Sequence, residues 1–150
     1  MKRSSLMRRP RVRAALATLA AFCLLALQAA CTPNPAEKEL SETLKQYETI
    51  IRWSQWDAAA DFLAPEYLME NPISRLDMDR LRLFKVTSYT LRSTGIFDEG
   101  LTTRQVVEIR LFNKRQGIER TIVDQQEWHW SETAERWYLH SGLPDPTQRY

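Results

Sequence analysis

Cysteine is scarce in this chain, with two among 150 residues, Cys23 and Cys31. Both lie near the start, so everything beyond Cys31 lacks a thiol. That excludes a disulfide, a cysteine nucleophile and a Cys-based zinc site from the bulk of the chain. Histidine is as scarce, and His129 and His140 are too few for a His-rich metal cluster. With four glycines in all, no glycine-rich phosphate loop can be traced. No apolar run reaches the ~20 residues that span a bilayer core. No Ser-His-acid arrangement can be argued. Internal repeats and low-complexity stretches are missing too.

What is present starts with charge. Lys2, Arg3, Arg8, Arg9, Arg11 and Arg13 open the chain with no acid among them. An apolar stretch from Ala14 to Leu27 follows, with Thr18 its one polar residue, and then Gln28-Ala29-Ala30-Cys31. A basic run followed by a short apolar run holds its start at the cytoplasmic face while the apolar part enters the membrane. The small side chains of Ala29 and Ala30 suit a narrow peptidase site. An uncleaved membrane anchor is the alternative, and it too puts the bulk of the chain outside the cytoplasm.

These residues resemble a bacterial lipoprotein signal peptide, in which the cysteine is diacylated and becomes the first mature residue. Ala29, Ala30 and Cys31 match the last three positions of the lipobox. Gln28 stands where that family has Leu, and Leu27 lies one residue early. Arg8-Arg9 is followed by Pro10 and Arg11, where a twin-arginine signal has an apolar pair, so Sec export is expected. The resemblance implies lipidation at Cys31, a membrane partner through that lipid, and the cell envelope as location. Thr32 is not the Asp that often marks inner-membrane retention, so the periplasmic face of the outer membrane is expected.

Loss of residues 1–30 changes the charge balance. The whole chain carries 21 bases and 19 acids, a net +2. The leader takes six of the bases, leaving 15 against 19 acids and a net charge of −4. No basic patch remains to argue for a nucleic-acid partner. We expect residues 31–35 to be the lipidated Cys and a short tether, 36–144 one domain, and 145–150 a tail.

The domain begins with a well-marked helix. Asn34 can cap it, Pro35 fits its first turn, and Glu37 completes a spacing like that of a capping box. Leu40, Leu44, Tyr47 and Ile51 recur at helical spacing, with Ile50 beside them. A second helix is expected from Ser54, with Trp56, Ala59, Ala60 and Leu63 on its apolar face and Pro65 ending it. Tyr67, Leu68, Asn71 and Pro72 read as a turn or short helical piece. From about Leu81 the period changes to two, with Leu81, Leu83, Thr87, Tyr89 and Leu91 on one face. Asp98-Glu99-Gly100 reads as a hairpin turn. The second strand puts Thr103, Gln105, Val107, Ile109 and Leu111 on one face. Asn113 to Gly117 turns again. The third strand has Ile118, Ile122, Trp128 and Trp130 on one face. After a turn at Ser131–Glu135, Trp137 and Leu139 lie on a last short strand.

Two helices, a connector and a meander of about four strands make an α+β domain. "YETIIRWSQWDAAADFLAPEYL" and "QQEWHWSETAERWYLHSGLP" are similar to the paired helices and terminal hairpin of the nuclear-transport-factor-2-like superfamily. That resemblance covers roughly residues 36–144. It implies N-terminal helices packed in a curved antiparallel sheet, a cone that in some members binds small molecules.

Candidate chemistry lies on the third strand. Its inner face reads Ile118, Arg120, Ile122, Asp124, Gln126, Trp128, Trp130, so polar groups interrupt an apolar row. One reading places Asp124 and Gln126, with Gln105 and Tyr89 from the neighbouring strands, around a polar-floored pocket. The other is a β-bulge that turns Asp124 outward, or an Arg120–Asp124 pair at a wet edge. The plainer second reading is preferred on the sequence. Trp56, Trp128 and Trp137 read as core. Trp53, at the helix junction, and Trp130, beside a turn, also read first as core. They are the two that could instead form a partly exposed binding surface. His129 is expected to face solvent, and His140 shares a face with Tyr138. Asp57 and Asp61 lie one turn apart, which capping and solvation explain.

The leading expectation is a membrane-anchored lipoprotein with a non-enzymatic domain that binds an envelope protein or an apolar small molecule. No cofactor and no metal are expected. A rival is an isomerase- or dehydratase-type enzyme with Asp124 as base and Tyr89 as hydrogen-bond donor. A third is a structural subunit of an envelope assembly, with an exposed apolar patch around Trp53 and Trp130.

Overall fold

The computed structural model describes residues 34–147. The leader and Cys31 lie outside the described residues. Helix α1 runs Pro35–Arg52. Asn34 Oδ1 accepts the Ala36 N–H at 3.1 Å, so the cap bond lands on the second helical residue. Ala36, Leu40, Tyr47 and Ile51 form its buried face. The helix stops at Ser54, whose φ of 57° lies in the left-handed region. Ser54 is no helix start. Its hydroxyl instead accepts the Val86 N–H at 2.8 Å, tying the junction to the sheet.

Helix α2 is a single short piece, Trp56–Ala60. It ends well before Pro65, because the next residues pair with the sheet. Leu139 N–H donates to Phe62 O at 2.8 Å, and Ala64 N–H donates to Leu139 O at 3.0 Å. Pro65 opens helix α3, Pro65–Glu70, where its missing N–H costs nothing. A fourth helix, α4, Arg75–Leu81, occupies what the sequence suggested was a connector. A reciprocal capping box starts it: Ser74 Oγ accepts the Asp77 N–H and the Asp77 carboxylate accepts the Ser74 N–H.

Four strands follow in a plain antiparallel meander: β1 Phe84–Phe97, β2 Thr102–Asn113, β3 Ile118–Ser131 and β4 Arg136–Leu139. The fold is therefore α+β. Strand β1 carries register shifts between Val86 and Ser88 and between Leu91 and Ser93. Those shifts put Phe84, Val86 and Tyr89 inward. Leu81 belongs to α4, and Thr87 is exposed. Strand β2 keeps strict alternation, with Thr103, Gln105, Val107, Ile109 and Leu111 all buried.

The core lies between α1 and the inner face of the sheet. Tyr47, Phe62 and Trp128 meet edge to face, with centroids 5.0 to 6.2 Å apart. Two further indoles fasten helices to strands through their N–H groups. Trp56 donates to Phe84 O at 3.1 Å, and Trp137 donates to Ala36 O at 2.8 Å. No helix among the described residues is long and apolar enough to cross a membrane.

Candidate functional site

Pairing of β2 with β3 runs without a break from Thr102↔His129 to Asn113↔Ile118. The inward set of β3 is therefore Ile122, Asp124, Gln126 and Trp128, all buried. No bulge turns Asp124 outward. Nor does Arg120 pair with it: Arg120 Nη1 donates to Pro146 O at 2.9 Å. The preferred sequence reading is overturned on both points: the uninterrupted register keeps Asp124 inward, and Arg120 bonds the Pro146 carbonyl instead.

Asp124 is 9% exposed and belongs to a small polar network inside the core. Its Oδ2 accepts Gln126 Nε2–H at 2.8 Å. The same amide nitrogen faces the Tyr89 hydroxyl at 3.2 Å, and Gln126 Oε1 accepts Trp128 Nε1–H at 3.3 Å. Tyr89 thus meets Gln126, and the amide stands between phenol and carboxylate. Burial pushes the Asp124 pKa up to about 6, against the Gln126 hydrogen bond that lowers it. Burial likewise raises the Tyr89 phenol, with the Gln126 hydrogen bond opposing and the charge of Asp124 adding. Gln105 is buried opposite Gln126 in register, but its amide is spent on Thr94 Oγ1 at 3.2 Å.

Tyr47 contributes a second phenol near this carboxylate. Its pKa is raised well above the ordinary value, by burial first and then by Asp124. Its hydroxyl, like Thr103 Oγ1, finds no hydrogen-bond partner among the described residues. A buried hydroxyl without a partner is a desolvation cost with no return. Tyr47→Phe is therefore expected to raise stability by about 1 kcal/mol. Urea unfolding of the two proteins checks this, and a loss would mean that the hydroxyl is bonded in solution.

Chemically, a carboxyl that titrates near neutrality could move a proton. Access decides the matter. Five surface hollows, of about 380 to 560 Å3, are lined by other residues, and neither Asp124 nor Gln126 lines any of the five.

The other two candidates lie apart from this network and from each other. Trp130 is half-buried, tilted against Trp137 at 6.0 Å. It lines a hollow of about 380 Å3 with His129 and His140, whose rings stack at 4.3 Å. His129 Nε2 lies 2.8 Å from Glu127 Oε1, and Arg104 Nε donates to the other oxygen of that carboxylate at 3.0 Å. Burial, with the charge of His129, lowers the His140 pKa. Among the described residues no group of three or more His, Cys, Asp or Glu is placed to hold a metal ion. Asp57 does not cap α2. Its carboxylate meets the Arg82 guanidinium, which holds its pKa low.

Trp53 stands at the end of α1 and is 75% exposed. It lines a groove of about 560 Å3 between α1 and the start of β1. Lys45, Arg52 and Lys85 share that groove. Sequence reasoning passed over these bases, although Lys45, Thr49 and Arg52 recur at helical spacing beside Trp53. Lys85 comes from another element, and nothing in the sequence joins it to them. No family model, curated protein or solved structure matches the chain.

Proposed function

We propose that this chain is a lipid-anchored binding domain of the bacterial cell envelope. Residues 1–30 would direct export, and acyl chains on Cys31 would hold the protein at a membrane, with the outer membrane favoured by Thr32. The α+β domain would be a cone of the nuclear-transport-factor-2-like kind, its interior filled by its own aromatic side chains. The observation that carries a binding role is the contrast between two places. Asp124 Oδ2, the Gln126 amide and the Tyr89 hydroxyl are hydrogen-bonded together within the core, with the Trp128 indole donating to the same amide. Trp53 instead stands open over a groove. An enzyme with Asp124 as base would need a substrate path to that carboxylate.

Three Cα-to-Cα steps, through Thr32 and Pro33, link Cys31 to the cap at Asn34. At ~3.5 Å each they reach about 10 Å, so the fold would begin close to the lipid surface. Cys31→Ser is expected to abolish incorporation of a palmitate analogue and to release the chain from the membrane fraction. Label that persists on the Ser variant would overturn the anchor.

A further inference from the structure

The groove at Trp53 has a chemistry of its own. Three bases, Lys45, Arg52 and Lys85, face one acid, Glu48, in a chain that is net −4 beyond residue 30. Glu48 is engaged by Arg52 Nη1 at 3.2 Å. The ammonium groups of Lys45 and Lys85 have no ion-pair partner among the described residues. Two cationic donors are therefore left over in a concavity of about 560 Å3, within the ~300–1,000 Å3 of small-ligand sites.

The backbone of Trp53 is fixed beside them. Its backbone N–H donates to Thr49 O at 3.1 Å, and the next residue, Ser54, is pinned by Val86 N–H. The indole therefore projects from fixed backbone. Trp53 is the one well-exposed apolar side chain of the groove, since Val86 is itself only 5% exposed. An acyl chain or an apolar peptide side chain would gain one face and leave the other in water. A sugar ring needs one flat apolar surface for its C–H face. Its hydroxyls need polar neighbours, and the Thr49 oxygen, whose proton goes to Lys45 O, and the Glu48 carboxylate, already met by Arg52, can still accept there.

We propose that this groove binds an acidic saccharide, with a hexose ring on the Trp53 indole and its carboxylate held by Lys45 and Lys85. The inference rests on reading the domain as a binding module, and it adds the ligand class.

Acrylamide quenching of tryptophan fluorescence tests it, on the full chain in detergent. Trp56, Trp128 and Trp137 are buried and Trp130 half-buried, so Trp53 dominates the quenchable signal. Tri-galacturonate is expected to protect that signal saturably. Maltotriose, neutral and of equal length, should bind at least about tenfold more weakly, as should the Lys45→Ala/Lys85→Ala double variant. Trp53→Ala should lose tri-galacturonate binding by calorimetry while keeping its thermal midpoint. Equal protection by maltotriose would overturn the proposal. So would protection by a tri-glutamate peptide or by phosphatidylglycerol vesicles in place of the sugar, although a binding surface would then stand. No protection by any of the four would overturn the proposal and the binding reading of Trp53 together. The lipidation result at Cys31 is independent of every one of these outcomes.

Discussion

Trp137→Ala is expected to cost the domain about 3–5 kcal/mol, the largest loss of any single substitution considered. Trp137 is fully buried, on the short strand that closes the sheet. Two effects combine in the loss. The truncation empties the largest side-chain volume in the sequence from a packed core. It also removes the indole N–H that donates to Ala36 O at 2.8 Å, joining residues 101 apart. That bond holds the first turn of α1 against β4, so its loss should loosen both ends of the domain together. Trp137→Phe separates the effects, since it keeps most of the apolar body and drops the N–H. A cost of about 1–2 kcal/mol is expected there. Urea unfolding measures both variants. Against a total stability of about 5–15 kcal/mol, the alanine variant should unfold at markedly lower denaturant. A loss below about 1 kcal/mol for alanine would mean that β4 frays independently of the core.

What the sequence could disclose depended on how far apart the determining residues lie. The buried face of α1 follows from a 3.6-residue period within one segment, and Leu40, Tyr47 and Ile51 are where that period puts them. Strand β2 is equally plain, because its five inward residues alternate without interruption. Helix α4 was missed for a local reason. Of its residues only Leu81 is buried, and Leu76 is 58% exposed, so no apolar stripe marks it. The Ser74–Asp77 capping box was the available signal. Strand β1 misled because two register shifts change its parity midway, and parity is all that a strand pattern offers.

The polar network shows the same limit more sharply. Asp124 and Gln126 were visible as polar intrusions in an apolar row. Their direction depended on whether β3 keeps register with β2, a fact held by hydrogen bonds between strands. A slip of one residue would reverse the face of every side chain. The partnership of Arg82 with Asp57, 25 residues apart, is likewise a product of packing. So is the groove, which takes Lys45 from a helix and Lys85 from a strand.

Asp124→Asn should turn a pH-dependent stability into a flatter one, and the sign follows from the direction of the shift. Asp124 has a folded pKa of about 6 against an ordinary 3.8, with burial the chief cause. Between those values the folded state holds a proton that the unfolded state has released. Stability from this group is therefore fully present below pH 3.8 and is lost as pH rises through about 6. The loss amounts to about 3 kcal/mol, at ~1.4 kcal/mol per unit. Asparagine is neutral throughout, and its side-chain oxygen can still accept the Gln126 N–H. The variant should match the native chain near pH 4 and exceed it by up to about 3 kcal/mol at pH 8. Glu127, Asp57 and Asp77 have lowered pKa values and act in the opposite sense, but all are present in both proteins. The difference between the two unfolding profiles therefore isolates Asp124. A variant that is less stable at pH 8 would show that the core needs the carboxylate charged. Tyr47 and Tyr89, whose phenols that charge acts on, would then be the groups to examine as its donors.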